Sequence, residues 1–511
     1  MATQPKWLEN AVFYEIYPQS FNDTNADGIG DIPGIIEKLD YIKELGANAI
    51  WMNPCYVSPF NDAGYDVEDY YRVAPRYGTN EDLKHLFAEA HKRDMHIILD
   101  LVPGHTSYTH EWFKQSCKAD KNEYTDRYVW TNSVWADYPG MAFLKGVSER
   151  DASVATNFFS TQPALNYGFY ELDPKAPWQQ PMDAEGPMST RNEIKNIIRF
   201  WLGMGCDGFR VDMAGSLVKN DPESKGTISL WQDIRAFLDE EFPNAAFISE
   251  WGEPSKSLKG GFHMDFLLQF GPSHYMDLFR NEPFFSKKGQ GSIKEFVKTY
   301  NEYMDSTDGK GLICIPSSNH DMPRISNQLD TDELKVAFAF LLSMPGAPFI
   351  YYGDEIGMRY LDGIKSVEGG FGRTGSRSPM QWDKTLNAGF SSAPADELYI
   401  QLDGSAHRPD AAAQMNDENS LRSEIKRLIE LRQNNTALQA SAKIKFISDD
   451  YPLIFERTAE TQKITVIINP IDKQNTVDNI NGKIIYTVGG AKLENGKCVV
   501  DGCSAVFIGQ N

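Results

Sequence analysis

Asp100, Asp212, Glu250 and Asp321 stand at or near the ends of short apolar runs. They fall within the strings DLVPGH (100–105), GFRVD (208–212), FISEW (247–251) and SSNHD (317–321). His105, Arg210 and His320 lie in the same strings. Arg210 and Asp212 are two residues apart, so on a strand their side chains leave the same face. A guanidinium fixed beside Asp212 favours its ionised form, as a nucleophile requires. Glu250 follows an apolar run and precedes Trp251, surroundings that raise a carboxyl pKa and keep its proton for a leaving oxygen. Asp321 can hold sugar hydroxyls and support positive charge at an anomeric carbon. One nucleophile and one acid of this kind predict glycoside cleavage with retention. The covalent intermediate is then attacked by water or by a second sugar.

The elements that must position these groups alternate between strand and helix. Apolar runs at 11–17, 47–54, 95–102, 205–212, 245–250, 311–316 and 347–353, with a weaker one at 263–270, make eight strands. Amphipathic stretches separate them, among them IPGIIEKLDYIKELG (32–46), EDLKHLFAEAHKRD (81–94) and LRSEIKRLIELRQ (421–433). Strand–helix alternation means a parallel sheet, and eight such units close into a TIM barrel of the α/β class, whose catalytic groups sit at the C-terminal strand ends. Residues 104–170, rich in Tyr, Trp, Asn and Ser, are too long for a structureless loop and predict a small inserted domain after strand three. Residues 353–418 form a second insertion. From about residue 438 strands alternate without helices, which predicts an antiparallel β-sandwich. The expected organisation is therefore a barrel at 1–103 and 171–437, an insert at 104–170 and a β domain at 438–511.

The 511 residues carry 71 acidic and 50 basic side chains, a net charge of −21. Such a surface repels nucleic-acid phosphates and anionic lipid and is indifferent to a small neutral substrate. Six cysteines without a CxxC pair read as free thiols. The first residues lack a leader-like apolar stretch after a basic start, and a cytoplasmic location is expected. Oligomeric state leaves no mark in the sequence.

The loop DTNADGIGD (23–31) offers a different chemistry. Asp23, Asn25, Asp27 and Asp31, with the Ile29 carbonyl, can supply oxygens to one hard cation, Ca2+ or Mg2+, while Gly28 and Gly30 allow the turn. It opens like an EF-hand loop, but Gly34 stands where that loop has its bidentate glutamate.

In their order along the chain, DLVPGH, GFRVD, FISEW and SSNHD resemble the four signature regions of the α-amylase clan, glycoside hydrolase family 13. The resemblance is nearest to oligo-1,6-glucosidases, α-glucosidases and trehalose synthases, and it runs over essentially the whole chain. It implies Asp212 as nucleophile, Glu250 as acid/base and Asp321 as transition-state stabiliser. It also implies Tyr65, Asp100, His105, Arg210 and His320 around the first sugar. The cation loop resembles the calcium or magnesium loop of the same group. Members that attack chain ends have an Asp and an Arg meeting across the pocket, and GYD (64–66) and SRSPMQWD (376–383) offer Asp66 and Arg377 for those places. An exo-acting α-glucosidase on short oligosaccharides is the implied activity. A transglucosylase or isomerase such as trehalose synthase, and a non-catalytic amylase-like binding protein, are the alternatives.

Overall fold

The computed structural model describes residues 4–307 and 311–510. Eight parallel strands make one sheet: β1 (Phe13–Ile16), β2 (Ala49–Met52), β3 (His96–Leu101), β4 (Gly208–Val211), β5 (Ala246–Ser249), β6 (Met264–Phe266), β7 (Leu312–Cys314) and β8 (Phe349–Tyr351). Neighbours follow chain order, and β8 pairs with β1. A parallel bridge from Pro316 to Phe349 joins the end of β7 to β8 and closes the ring. All residues of β1, β2, β4 and β5 are buried, which is why those runs read as continuously apolar rather than alternating. The weak sixth run is β6, only three residues long, and it buries the carboxylate of Asp265 among its apolar neighbours.

The helices form where the periodicity put them, with local corrections. Asn80–His91 opens on a capping box between Thr79 and Asp82, and Thr331–Ser343 on one between Asp330 and Glu333. The stretch after β1 is two helices rather than one, Ile32–Glu37 and Leu39–Leu45, because the backbone leaves helical geometry at Lys38. Between β3 and the helix Glu185–Met204 the chain runs outside the barrel. It forms the helix Glu111–Ser116 and an antiparallel pair of strands, Phe143–Lys145 with Ser153–Ala155. Among the described residues no helix is long and apolar enough to cross a membrane.

The C-terminal part holds a five-stranded and a three-stranded antiparallel sheet. Ile454, Ile467 and Val506 of the larger sheet share a core with Cys498 and Val500 of the smaller one. This is the sandwich expected. One buried guanidinium of the sandwich ties it to the barrel, beside another from the barrel's own last helix. Arg432 donates to the carbonyls of Leu342 and Met344, and Arg457 to that of Ser343, so the orphan carbonyls ending helix Thr331–Ser343 are satisfied. All six cysteines are free, including Cys498 and Cys503.

Candidate active site

Arg210 organises the site. Its Nη1 lies 2.6 Å from Asp100 Oδ1 and 3.1 Å from Asp212 Oδ1, and its Nη2 2.7 Å from Glu250 Oε1. Gly208 makes this approach possible: at φ +150° it opens β4, and a Cβ there would sit 2.2 Å from the Ala246 carbonyl oxygen of β5. Asp100 is held in turn by Trp51 Nε1 at 2.9 Å and by the Tyr65 hydroxyl at 3.2 Å. Just past the nucleophile position, Met213 adopts a left-handed conformation (φ 44°), and its amide donates to Glu250 Oε2 at 3.0 Å. Asp265 of β6, invisible as a site residue in the sequence, accepts the Trp251 amide at 3.0 Å and so fixes the turn that follows Glu250.

The guanidinium does not single out Asp212 as the sequence suggested, because it touches Glu250 as closely. Burial first, then repulsion from Glu250, raises the Asp212 carboxyl well above the usual range, against the pull of Arg210. Burial likewise raises Glu250. Two raised carboxyls on one guanidinium hold a proton as a pair. That is the charge state a nucleophile and an acid need together.

Asp321 lies opposite. Burial would raise its carboxyl too, but the guanidiniums of Arg373, Arg377 and Arg210 outweigh it and hold the group well below the usual range. Arg373 Nη1 and Arg377 Nη2 both bond Asp321 Oδ1, at 2.8 and 2.9 Å. The His320 ring stacks on Tyr65 with centroids 5.2 Å apart. His105 donates from Nε2 to the Tyr65 carbonyl and accepts at Nδ1 from Asn157 of the inserted segment, whose own oxygen faces Lys219. Burial lowers the pKa of His105 to about 4 and that of His320 to about 3, so both rings are neutral.

The expected pair of Asp66 and Arg377 does not form. Asp66 is a buried turn former that accepts from Ser58 Oγ and from the amides of Asn61 and Asp62. Arg377 is fully buried behind Asp321, with Nε donating to the His320 carbonyl at 2.9 Å. The pair that meets across the pocket lies four residues earlier on each side: Arg373 Nη2 bonds Asp62 Oδ1 at 3.2 Å. Both line a cavity of about 510 Å3 together with Tyr65, His105, Asp212, Glu250 and Asp321. Phe158, Trp251 and Phe270 also line it.

In the 23–31 loop each side chain turns back on the chain. Asp23 accepts the amides of Asn25, Ala26 and Gly28, Asn25 that of Asp27, and Asp27 that of Ile29. Asp31 caps the helix Ile32–Glu37 through the Gly34 amide and also accepts from Thr24. Among the described residues no three His, Cys, Asp or Glu side chains converge as a metal set. A cation here would need the mixed set, with the Asn25 amide oxygen and the Ile29 carbonyl beside Asp23, Asp27 and Asp31.

A closed (β/α)8 barrel with paired carboxylates, one arginine between them and a third carboxylate across a small pocket defines a glycoside-cleaving enzyme of the retaining type. The model of the alpha amylase catalytic domain matches residues 15–441, and the chain belongs to that family. It is 30% identical to an oligo-1,6-glucosidase of Parageobacillus thermoglucosidasius, over 96% of this chain and 94% of that protein. It is 31% identical to a trehalose synthase/amylase of Mycolicibacterium smegmatis, over 86% and 78%. Among solved structures, an isomaltulose synthase mutant from Erwinia rhapontici NX5 in complex with sucrose superposes with a TM-score of 0.82, at 25% identity and 100% coverage of both chains.

Proposed function

We propose that the protein is an exo-acting α-glucosidase of short, neutral α-glucosides. The Asp62–Arg373 pair carries this reading, because this charged contact closes part of the wall of the pocket that the carboxylates line, as a site for a terminal sugar requires. With that sugar seated, Glu250 protonates the glycosidic oxygen as Asp212 attacks the anomeric carbon, giving a glucosyl ester on Asp212. Asp321 supports the oxocarbenium-like transition state. Glu250, now ionised, takes a proton from water, which displaces Asp212 and releases glucose.

A second reading is transfer to a sugar acceptor. The apolar wall of Phe158, Trp251 and Phe270 favours it, since rings of this kind stack on sugar faces and shed water. Products from maltose, isomaltose, sucrose and trehalose separate the two. Free glucose rising with turnover supports hydrolysis, and a rearranged disaccharide without equivalent free glucose supports transfer. If none of the four is consumed, both readings fail.

The loop at 23–31 is proposed to bind Ca2+ or Mg2+ as a structural ion. No ion pair from a basic side chain compensates Asp23, Asp27 or Asp31 among the described residues, and Asp23 adds to the burial that raises Asp31. A ligand that binds only the folded chain raises its stability by linkage. Chelator should therefore lower the melting temperature by several degrees, and Asp27→Ala should lower it and abolish the chelator effect. Purified protein free of both metals by elemental analysis and unchanged in melting on adding either would reduce the loop to a turn. A cytoplasmic setting is proposed as well, in keeping with six unpaired cysteines.

A further inference from the structure

Glu15 on β1 is completely buried, and among the described residues its side chain makes hydrogen-bond contacts only with the histidine beside the transition-state carboxylate and with Asn53. Its Oε1 lies 2.9 Å from His320 Nδ1 and 3.3 Å from Asn53 Nδ2. Its Oε2 has no hydrogen-bond partner, and no guanidinium or ammonium touches either oxygen among the described residues. A carboxylate so enclosed and unpaired carries a heavy desolvation cost, which protonation removes. Burial accordingly pushes Glu15 well above the ordinary carboxyl range.

The histidine has its own constraints. Burial and the neighbouring Arg377, Arg210 and Arg373 oppose a second proton on the ring, and Asp321 only partly offsets them. A neutral imidazole has one N–H, so its two nitrogens take opposite roles. Nε2 lies 3.4 Å from the Asp321 carboxylate and has no hydrogen-bond partner among the described residues. Beside an anion, Nε2 is the nitrogen that holds the proton. Nδ1 is then an acceptor and needs a donor. The groups within reach of it are Glu15 and the Asn53 amide, the latter at 3.2 Å.

We propose that Glu15 is a positioning residue that donates, as a neutral carboxylic acid, to His320 Nδ1 and so fixes the tautomer whose Nε2–H faces Asp321 and the sugar pocket. The buried acid on β1 thereby sets the direction of a donor at the rim of the barrel. Asn53 supports it from just beyond β2, bridging Nδ1 and the Tyr65 hydroxyl, which it contacts at 3.3 Å. The proposal rests on the glucosidase reading, since it gives the Nε2–H its use.

The test compares Glu15→Gln with Glu15→Leu, using nitrophenyl α-glucoside and circular dichroism. Glutamine keeps a donor at the same place and should retain kcat/KM within about threefold, with an unchanged pH profile. Leucine cannot donate. It should lower kcat/KM by tenfold or more, through a raised KM as well as a lower kcat, with the protein still folded. If glutamine is as damaging as leucine, or shifts the acid limb of the profile, Glu15 acts as an anion and the proposal falls. It falls equally if both variants match the parent enzyme. Should leucine fail to fold, the glutamine variant still decides between neutral acid and anion. An inactive parent enzyme, by contrast, would strike at the glucosidase reading before either variant was compared.

Discussion

Asp212→Asn should reduce kcat by about 10^4-fold or more, the scale seen when a member of a catalytic unit is removed. Glu250→Gln should be comparably severe on disaccharides, but it should respond to the leaving group where Asp212→Asn does not. A nitrophenolate leaves without help from an acid, so the first step survives in Glu250→Gln and the glucosyl ester on Asp212 accumulates. A burst of nitrophenol followed by a slow steady state, with the mass of one glucose on the protein, is the expected result. Asp321→Asn should lower kcat by at least about 10^3-fold, since it removes the one carboxylate at the pocket that its neighbours hold ionised. Circular dichroism and melting curves must show folded protein for each. Near-parental turnover in folded Asp212→Asn would end the covalent mechanism.

The same groups govern the response to pH. Asp212 and Glu250 are both raised by burial, Asp212 also by the charge of Glu250, so activity needs the pair with a single proton. Acidification adds a second proton and silences the nucleophile, and alkali removes the first and silences the acid. A bell-shaped profile of kcat/KM with both limbs belonging to the pair follows.

Much of this was legible in the sequence because parallel strands buried on both faces are written as unbroken apolar runs, and a barrel displays whatever ends them. Asp212 and Glu250 directly follow their strands, and Asp100 stands one residue before the end of β3. Other residues left weaker traces. β6 spends one of its three residues on Asp265, so its apolar signal is nearly erased. Glu15 sits inside a run and looks like a defect in it rather than a functional group. The partner of Asp212 was read correctly as Arg210, but proximity in sequence could not reveal that the same guanidinium also reaches Glu250 from the next strand.

The pocket-closing pair shows the limit most clearly. FNDAGYD holds two aspartates, and GRTGSR two arginines, and nothing in either string says which member turns inward. Backbone conformation decides it. Asp66 is captured by the Asn61 and Asp62 amides of its own turn, which presents Asp62 instead to Arg373 and to Gln162 Nε2 at 2.8 Å. Arg377 lies beyond the short 3-10 helix Phe371–Ser376 and points the other way, behind Asp321.

That division of labour gives the second large prediction. Asp62 touches neither the nucleophile nor the acid, so Asp62→Ala should act on recognition of the terminal sugar. Losing a charge-assisted contact of about 2–3 kcal/mol corresponds to roughly a 30–150-fold fall in kcat/KM at 1.4 kcal/mol per decade. Arg373→Ala should be somewhat worse, because it also withdraws one of two guanidiniums from Asp321. The double variant should be little worse than Arg373→Ala alone, since the wall is lost once. Arg377→Ala should differ in kind: with Asp321 less firmly held, kcat falls while KM changes little. The parent enzyme should cleave maltose or nitrophenyl α-glucoside and leave cross-linked amylose intact, because a walled pocket admits a chain end and excludes a chain interior. Opening the wall in Asp62→Ala relieves that exclusion without creating the further subsites an interior segment needs, so the variant should be weak on both substrates. Rapid loss of starch viscosity before glucose appears, in the parent enzyme, would mean that the cleft is open despite the Asp62–Arg373 contact, and the exo reading would fall while the carboxylate mechanism stood.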